Sequence, residues 1–244
     1  MPISGCSRPA KPSSTPAAKE PGGCSTTGCS TPPTLPTLVD DGAEDLTNTA
    51  IYKKCPPDVK AAIQSKAFSK KEKEDVEEVL SKMSALMTCK DHPVKRIGRT
   101  DQAITDCVAE QDTMGEWFQD RGALVMTDNA TADFHLGGGR KEFKGSLAHE
   151  LTHGLTNSFD PRTCTAYGNP RDNPLMQEWV KVAGWDDTWK KLADPSSVPS
   201  DYAKTNPKED LSETVKFYLY APDELKKKSP ERYEFAKKLL GGSA

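Results

Sequence analysis

The segment His149-Glu150-Leu151-Thr152-His153 has the residue types and the spacing of a catalytic metal site. Residues four apart lie on one face of a helix, so His149 and His153 can bind one metal ion through their imidazole nitrogens. Glu150 follows the first ligand directly and can act as general base toward a water on the metal. The chain has only four histidines, and two of them stand in this spacing. The motif therefore predicts metal-assisted hydrolysis.

A helix must hold these side chains, and the flanking residues predict one. Leu147, Ala148, Leu151 and Leu155 are spaced by one, three and four residues and form a single apolar stripe. The pair Asp160-Pro161 ends any continuation, because proline cannot extend a helix. Both histidines are thus expected in the last turns of a buried helix.

A catalytic zinc site usually has three protein ligands, so a third ligand is needed. The position six residues after the second histidine is Phe159, which excludes a third histidine there. Further on, Pro207 and the acidic residues after it predict a helix start. Glu209 and Glu213 share one face of that helix. We predict that Glu209 binds Zn²⁺ and that Glu213 accepts the free ring N–H of a ligand histidine, His149.

With these residues in place, segment 123–240 resembles the gluzincin metallopeptidases, within them the branch of anthrax lethal factor and the Pro-Pro endopeptidases. That branch carries the same helix motif, a following Glu-x-x-x-Glu helix, and a tyrosine seven residues before the ligand glutamate, which here is Tyr202. The resemblance implies a zincin-like fold, a zinc endopeptidase acting on peptides or proteins, and a Tyr202 phenol that stabilises the oxyanion. Leu211 stands where such sequences usually have an aromatic residue.

Two other residues remain candidates for the third ligand. In the aspzincins, the ligand is an aspartate three residues before a Tyr-Gly pair; here the matching position before Tyr167-Gly168 is Cys164. Cys164 is more simply a structural thiol or half of a disulfide. Glu178, on a predicted helix over residues 175–183, is the next carboxylate candidate.

Ahead of the motif, residues 123–127 are predicted to form a strand and residues 132–136 its return strand, with a turn at Asp128-Asn129. Many enzymes of this class bind an extended peptide along such a strand edge. The run Gly137-Gly138-Gly139 lacks the spacing of a nucleotide-binding loop and is interpreted as a flexible connector. His135 is interpreted as a non-ligand.

The remaining elements divide the chain into a leader and one folded domain. Residues 1–45 are rich in Pro, Ser, Thr, Gly and Ala and are expected to form a disordered leader. Helices are predicted over residues 57–68, 70–89 and 103–120, with Ser69 and Glu72 as a capping box. We expect an α+β, mainly helical domain over residues 46–244, with a helical part at about 51–120 and a catalytic part at about 121–244. The tryptophans at 179, 185 and 189 are expected in its core.

The net charge and the cysteine content limit the classes of partner and the cellular compartments that the sequence favours. The net charge of −3 gives no case for binding nucleic acid or an anionic membrane, and no apolar stretch approaches a membrane span. Cys55, Cys89, Cys107 and Cys164 allow two disulfides in any of three pairings, or four reduced thiols. Disulfides without a secretory signal favour export by a dedicated injection apparatus, which predicts a secreted bacterial effector or toxin with a secretion apparatus or an immunity protein as partner.

Two other functions remain open at this point. One is a binding or interaction module in which zinc only ties two helices together. The other is a metallohydrolase of small amides. Glu150 argues against the first, because a structural zinc site needs no general base.

Overall fold

The computed structural model describes residues 35–43, 55–58, 63–105, 108–110 and 113–242. These residues form a mixed α+β structure in which helices dominate and the main sheet is small, as expected. None of the helices in the described ranges has the length and apolar character needed to cross a membrane. The helices are α1 Lys70–Lys82, α2 Gly139–Thr156, α3 Pro174–Ala183, α4 Pro207–Tyr220, α5 Pro222–Lys228 and α6 Pro230–Leu239.

The strands form one four-stranded sheet and two small ribbons. Their bounds are β1 Thr37–Leu38, β2 Arg96–Arg99, β3 Ala103–Thr105, β4 Val108–Glu110, β5 Gly115–Phe118, β6 Ala123–Met126, β7 Phe159–Asp160 and β8 Thr165–Ala166. The main sheet has the order β1-β2-β6-β5, in which β1, β2 and β6 run parallel and β5 is antiparallel to β6. Strands β3 and β4 pair with each other, as do β7 and β8.

The strand predicted over residues 123–127 is confirmed as β6, but its return strand over residues 132–136 is wrong. The chain instead forms a short 3-10 helix at Asp128–Thr131 and then an irregular segment. Both edges of β6 are already occupied, by β2 and by the preceding strand β5. Residues 132–136 therefore cannot pair with β6 as a further strand.

The helix predicted over residues 103–120 is also wrong, because this stretch contains β3, β4 and β5. In β5, Trp117 lies opposite Leu124 and Phe118 opposite Ala123 of β6. The apolar spacing that suggested a helix is overridden by pairing with a buried strand. The predicted helical character of residues 51–120 thus holds only in part.

Helix α1 confirms the predicted start at Ser69. Ser69 Oγ accepts the backbone N–H of Glu72, and Glu72 Oε2 accepts the backbone N–H of Ser69. The helix ends at Lys82 and is followed by a 3-10 turn at Ser84–Met87, so residues 70–89 are only partly α-helical. In the preceding stretch predicted as helix, residues 57 and 58 are helical and residues 59–62 lie outside the described residues. Residues 63–68 form no helix, and Ser65 bridges Thr100.

The leader prediction largely concerns residues outside the described ranges. Residues 1–34 and 44–45 lie outside them, whereas Thr37 and Leu38 of the same segment pair with β2 as an edge strand. The pairing extends through Thr37 N–H, which donates to the carbonyl of Lys95, and Val39 N–H, which donates to Ile97.

One disulfide pairing is defined by the structure. Cys89, after the 3-10 turn that follows α1, is bonded to Cys164 in the β7–β8 ribbon. Cys55 is also disulfide-bonded, and Cys107 lies outside the described residues. The bridge fixes the segment that immediately follows the motif helix α2.

The main core lies between α2, α4 and the sheet. Leu147, Leu151 and Leu155 of α2 are fully buried, which confirms the predicted apolar stripe. Trp179 and Trp185 are buried and Trp189 packs at the edge of the same core, as expected for core tryptophans. Helix α2 therefore packs against both α4 and the sheet in the part of the helix that carries its histidines.

Candidate metal centre

Helix α2 presents the two motif histidines toward the protein interior. His149 and His153 are 5% and 8% exposed, so few solvent contacts compete for their ring nitrogens. The helix runs through residue 156, beyond Gly154, because the leucine stripe on its opposite face is buried. The predicted placement of both histidines in its last turns is confirmed.

Helix α4 supplies the carboxylates from the opposite side. Asn206 caps its start, since Asn206 Oδ1 accepts the backbone N–H groups of Lys208 and Glu209. Pro207 occupies the first turn, as predicted, and its carbonyl accepts the indole N–H of buried Trp179 at 2.8 Å. The first turn of α4 is thus fixed where Glu209 projects toward α2.

Three atoms from these helices converge on one point. Nε2 of His149 and Nε2 of His153 are 3.0 Å apart, and Glu209 Oε2 lies 3.1 and 2.9 Å from them. Ligand atoms of a tetrahedral zinc ion, at bonds of about 2.0–2.2 Å, are about 3.3 Å apart. An expansion of a few tenths of an ångström therefore suits a metal ion, and among the described residues this group could hold one.

The second ring nitrogen of each histidine, Nδ1, contacts polar side chains on the side away from the three converging atoms. His149 Nδ1 is 2.8 Å from Glu213 Oε1, the partner predicted for Glu213. His153 Nδ1 lies 3.1 Å from both Ser212 Oγ and Asn157 Nδ2. The Glu213 carboxylate accepts and so selects the His149 tautomer that leaves Nε2 free for a metal, and the Ser212 hydroxyl can accept from His153 Nδ1 in the same way.

Asn157 gives an independent indication that a metal fits. Its Oδ1 is buried and has no hydrogen-bond partner among the described residues. A half-turn of the amide presents Oδ1 to His153 Nδ1, and that atom carries a proton when Nε2 binds a metal. The same change satisfies the orphaned oxygen.

The histidines and carboxylates of the site stabilise each other's charged forms and thereby shift each other's pKa values. Burial lowers the pKa of His149, but the hydrogen bonds to Glu209 and Glu213 outweigh it and raise the pKa to about 10. Burial raises the pKa of Glu209, yet the hydrogen bonds from His149 and His153 hold it far below its ordinary value. Glu213 likewise has a pKa of about 2, since His149 and the charge of Lys216 outweigh its burial. Both carboxylates are therefore ionised at neutral pH.

Glu150 and Tyr202 lie beside these groups, along a cavity of about 470 Å³. Burial raises the pKa of Glu150, although the neighbouring histidines oppose the shift. A Cβ placed on Gly115 of β5 would lie 3.0 Å from Glu150 Cγ, so the edge strand passes close to this carboxylate. The Tyr202 ring is centred 5.8 Å from that of His149, and Tyr202 is 52% exposed.

Tyr202 keeps its proton over the whole neutral range. Partial burial and the charges of Glu209, Glu150 and Glu213 raise its pKa above the ordinary value of 10.0. The phenol is thus a hydrogen-bond donor at the cavity, on the same side as His149.

The alternative third ligands lie elsewhere. Glu178 pairs with Arg162 at 2.5 Å and with Lys238 at 3.2 Å. Cys164 is bonded to Cys89. Neither belongs to the group that could hold a metal.

The sequence analysis missed three residues near the cavity. His135, set aside as a non-ligand, lines the cavity and has Nε2 3.9 Å from Glu213 Oε2. Lys216 also lines it, and buried Glu142 pairs with Lys216 at 2.9 Å. Helical spacing could have indicated two of them, because Lys216 follows Glu213 by three residues and Glu142 precedes His149 by seven.

Comparison of the chain with protein-family models, curated proteins and solved structures gives no match.

Proposed function

We propose that this protein is a zinc-dependent endopeptidase of the gluzincin type with a zincin-like fold. The observation that carries the proposal is the convergence of His149, His153 and Glu209 on one point, with His149 and the adjacent Glu150 lining one cavity. A metal site that served only to join helices α2 and α4 would need no carboxylate at the position of Glu150.

The ligand residues suit zinc. Two imidazole nitrogens and one carboxylate form one of the ligand sets of catalytic zinc, which keeps a fourth position open. A zinc ion held by these residues would supply Lewis acidity, polarising the scissile carbonyl and making water a better nucleophile at neutral pH. Glu213 would hold the His149 ring in the required tautomer and orientation. Ser212 and Asn157 would do the same for the His153 ring.

Glu150 has the properties of the general base. It lines the cavity, and its raised pKa brings its proton affinity closer to neutrality than that of an exposed glutamate. It would take a proton from the attacking water and deliver that proton to the leaving amine. One carboxylate thereby serves both halves of peptide hydrolysis.

Tyr202 would donate a hydrogen bond to the oxyanion. Its phenol remains protonated at neutral pH, and its ring lies against that of His149 at the cavity. A donor aimed at the developing negative charge stabilises the transition state more than the substrate. Its exposure leaves the side chain free to approach a bound peptide.

A peptide substrate fits the site better than a small amide does. Within the described part of the chain, β5 is the last strand of the main sheet, next to β6. Gly115 of this strand lies directly beside Glu150. An extended peptide added along β5 would carry its carbonyl groups past the general base.

The disulfide between Cys89 and Cys164 supports the further proposal of a secreted effector, because such bonds persist in oxidising compartments. Deleting residues 1–45 tests the role assigned to the leader. Unchanged loading of the truncated protein into the secretion apparatus would exclude that role.

The decisive experiment compares purified protein with Glu150→Gln for zinc content and for cleavage of a mixed peptide library. We expect Glu150→Gln to retain stoichiometric zinc and to lose cleavage. Glu178→Gln is the matched control, since that carboxylate pairs with Arg162 and Lys238 away from the cavity; it should keep both properties. Cleavage by Glu150→Gln at the rate of the unmodified protein would remove the general-base role.

A further inference from the structure

One wall of the cavity is formed by an irregular segment between β6 and α2. Phe134 and His135 line the cavity from this segment, residues 133–137. Phe134 is 48% exposed, one of the few large apolar side chains among the described residues that reach solvent. A segment without helix or strand hydrogen bonds needs other contacts to hold such a ring in place.

Glu142, in the first turn of α2, supplies those contacts. Its Oε2 accepts the backbone N–H of Leu136 at 2.7 Å and that of His135 at 3.1 Å. Asp133 adds a third contact by accepting the N–H of Gly137 at 3.1 Å. Glu142 is fully buried, so these hydrogen bonds are shielded from water.

The charge of Glu142 is balanced by Lys216 of α4. Lys216 Nζ lies 2.9 Å from Glu142 Oε1 and 3.6 Å from Glu213 Oε1. Burial raises the pKa of Glu142, but Lys216 and the two N–H donors outweigh burial and hold it below the ordinary 4.5. One buried lysine thus stands between the carboxylate that fixes the wall and the carboxylate that contacts His149.

The packing around this ion pair is close. A Cβ placed on Gly145 of α2 would lie 2.4 Å from Leu136 Cδ1 and 3.2 Å from Lys216 Cε. Only a residue without a side chain lets the wall segment and Lys216 approach α2 this closely. The wall is therefore built against α2 rather than lying loosely above it.

We propose that Glu142 and Lys216 are positioning residues for substrate, which fix residues 133–137 as a preformed wall of the cavity so that Phe134 contacts the bound peptide. The inference rests on the proposed peptidase function. Its consequence is a division of roles: the ion pair governs how tightly substrate binds, and Glu150 governs turnover. Because the wall is already ordered before substrate binds, the free energy of binding does not include the entropic cost of ordering residues 133–137.

The main test is the double variant Glu142→Met/Lys216→Met. Replacing both members by apolar side chains removes the whole ion pair, and Glu213 keeps His149 as its partner at 2.8 Å, so folding should be retained. The matched control is Glu78→Met/Lys144→Met, which removes an ion pair between α1 and α2 away from the cavity. Zinc content, hydrogen exchange of the 133–137 amides and steady-state cleavage of the library's best peptide are measured for each.

For the double variant we expect full zinc content and exchange of the His135 and Leu136 amides faster by about tenfold or more, because their acceptor is gone. We expect KM to rise about tenfold with kcat within about twofold of the unmodified protein. Phe134→Ala should raise KM similarly without changing exchange of these amides. The control pair should alter neither quantity.

Two results would overturn the inference. One is unchanged exchange together with unchanged KM in the double variant. The other is a fall in kcat at constant KM, which would place the ion pair at the reacting centre instead of the wall. If the unmodified protein cleaves no peptide, the peptidase proposal and the substrate role of the wall both fail, while faster exchange in the double variant would still show that the ion pair holds the wall.

Discussion

Glu213 Oε1 lies 2.8 Å from His149 Nδ1, on the side of the ring opposite the nitrogen that faces Glu209 and His153. The two residues are 64 positions apart in the chain and come from different helices. A carboxylate in this position fixes the ring orientation and increases the basicity of the metal-facing nitrogen. The contact would therefore couple the packing of α2 on α4 to the affinity of the His149, His153 and Glu209 group for a metal ion.

Glu213→Gln should lower zinc affinity by about 10–100-fold while leaving the fold intact, because an amide is a weaker acceptor than a carboxylate. Competition with a chromophoric chelator measures the change. Ser212→Ala is the matched comparison on His153 and should cost less, since it removes a neutral hydroxyl. Equal zinc affinity in Glu213→Gln and the unmodified protein would contradict the role assigned to Glu213.

Zinc should also stabilise the folded protein against heat. An ion that binds only the folded state at 100 times its Kd adds about 2.7 kcal/mol to the free energy of unfolding. Removing it with a chelator should lower Tm, and Glu209→Ala should abolish the difference between the two conditions. The control is Glu178→Ala, which leaves the ligand group unchanged and should keep the full shift.

Tyr202→Phe should lower kcat by about 10²-fold with little change in KM or zinc content, because the lost hydrogen bond strengthens only as the oxyanion forms. The control is Tyr218→Phe, on α4, whose ring contacts Tyr233 with centroids 5.2 Å apart. Steady-state kinetics on one defined peptide decide the matter. A loss confined to KM would assign Tyr202 to substrate binding instead.

Stability should depend on pH through Glu142. Its folded-state pKa lies below the ordinary 4.5, so its contribution to the free energy of unfolding is present above that value and is lost as pH falls through the folded pKa. The stability difference between the unmodified protein and Glu142→Gln should therefore be largest near neutrality and shrink in acid. Denaturant unfolding at a series of pH values measures it, and a difference that grows below pH 4.5 would reverse the sign.

The bond between Cys89 and Cys164 should stabilise the domain substantially. It closes a loop with a sequence separation of 75 residues, for which chain entropy gives about 4 kcal/mol. Cys89→Ser/Cys164→Ser should lower Tm by roughly 10 °C. Zinc content at 25 °C serves as the control and should be retained, since neither cysteine belongs to the ligand group. A Tm unchanged by the double substitution would show that the loop is ordered without the bond.

The group of His149, His153 and Glu209, which could hold a metal ion, was predictable from the sequence because its geometry is mostly local. The spacing of His149 and His153, and of Glu209 and Glu213, follows from helical periodicity, and the leucine stripe indicates which face is buried. Ser69 with Glu72, and Asn206 with Pro207, mark helix starts through hydrogen bonds made within a few residues. Such features need no knowledge of the rest of the fold.

Long-range contacts decided what the sequence could not. Residues 115–118 form strand β5 because β6 offers Trp117 and its neighbours a buried partner. The pairing of Cys89 with Cys164 follows from where the β7–β8 ribbon lies. His135, Glu142 and Lys216 acquire their places only when α2, α4 and the wall segment pack together. Helical periodicity determines which side chains share a face, whereas burial and packing determine which faces meet.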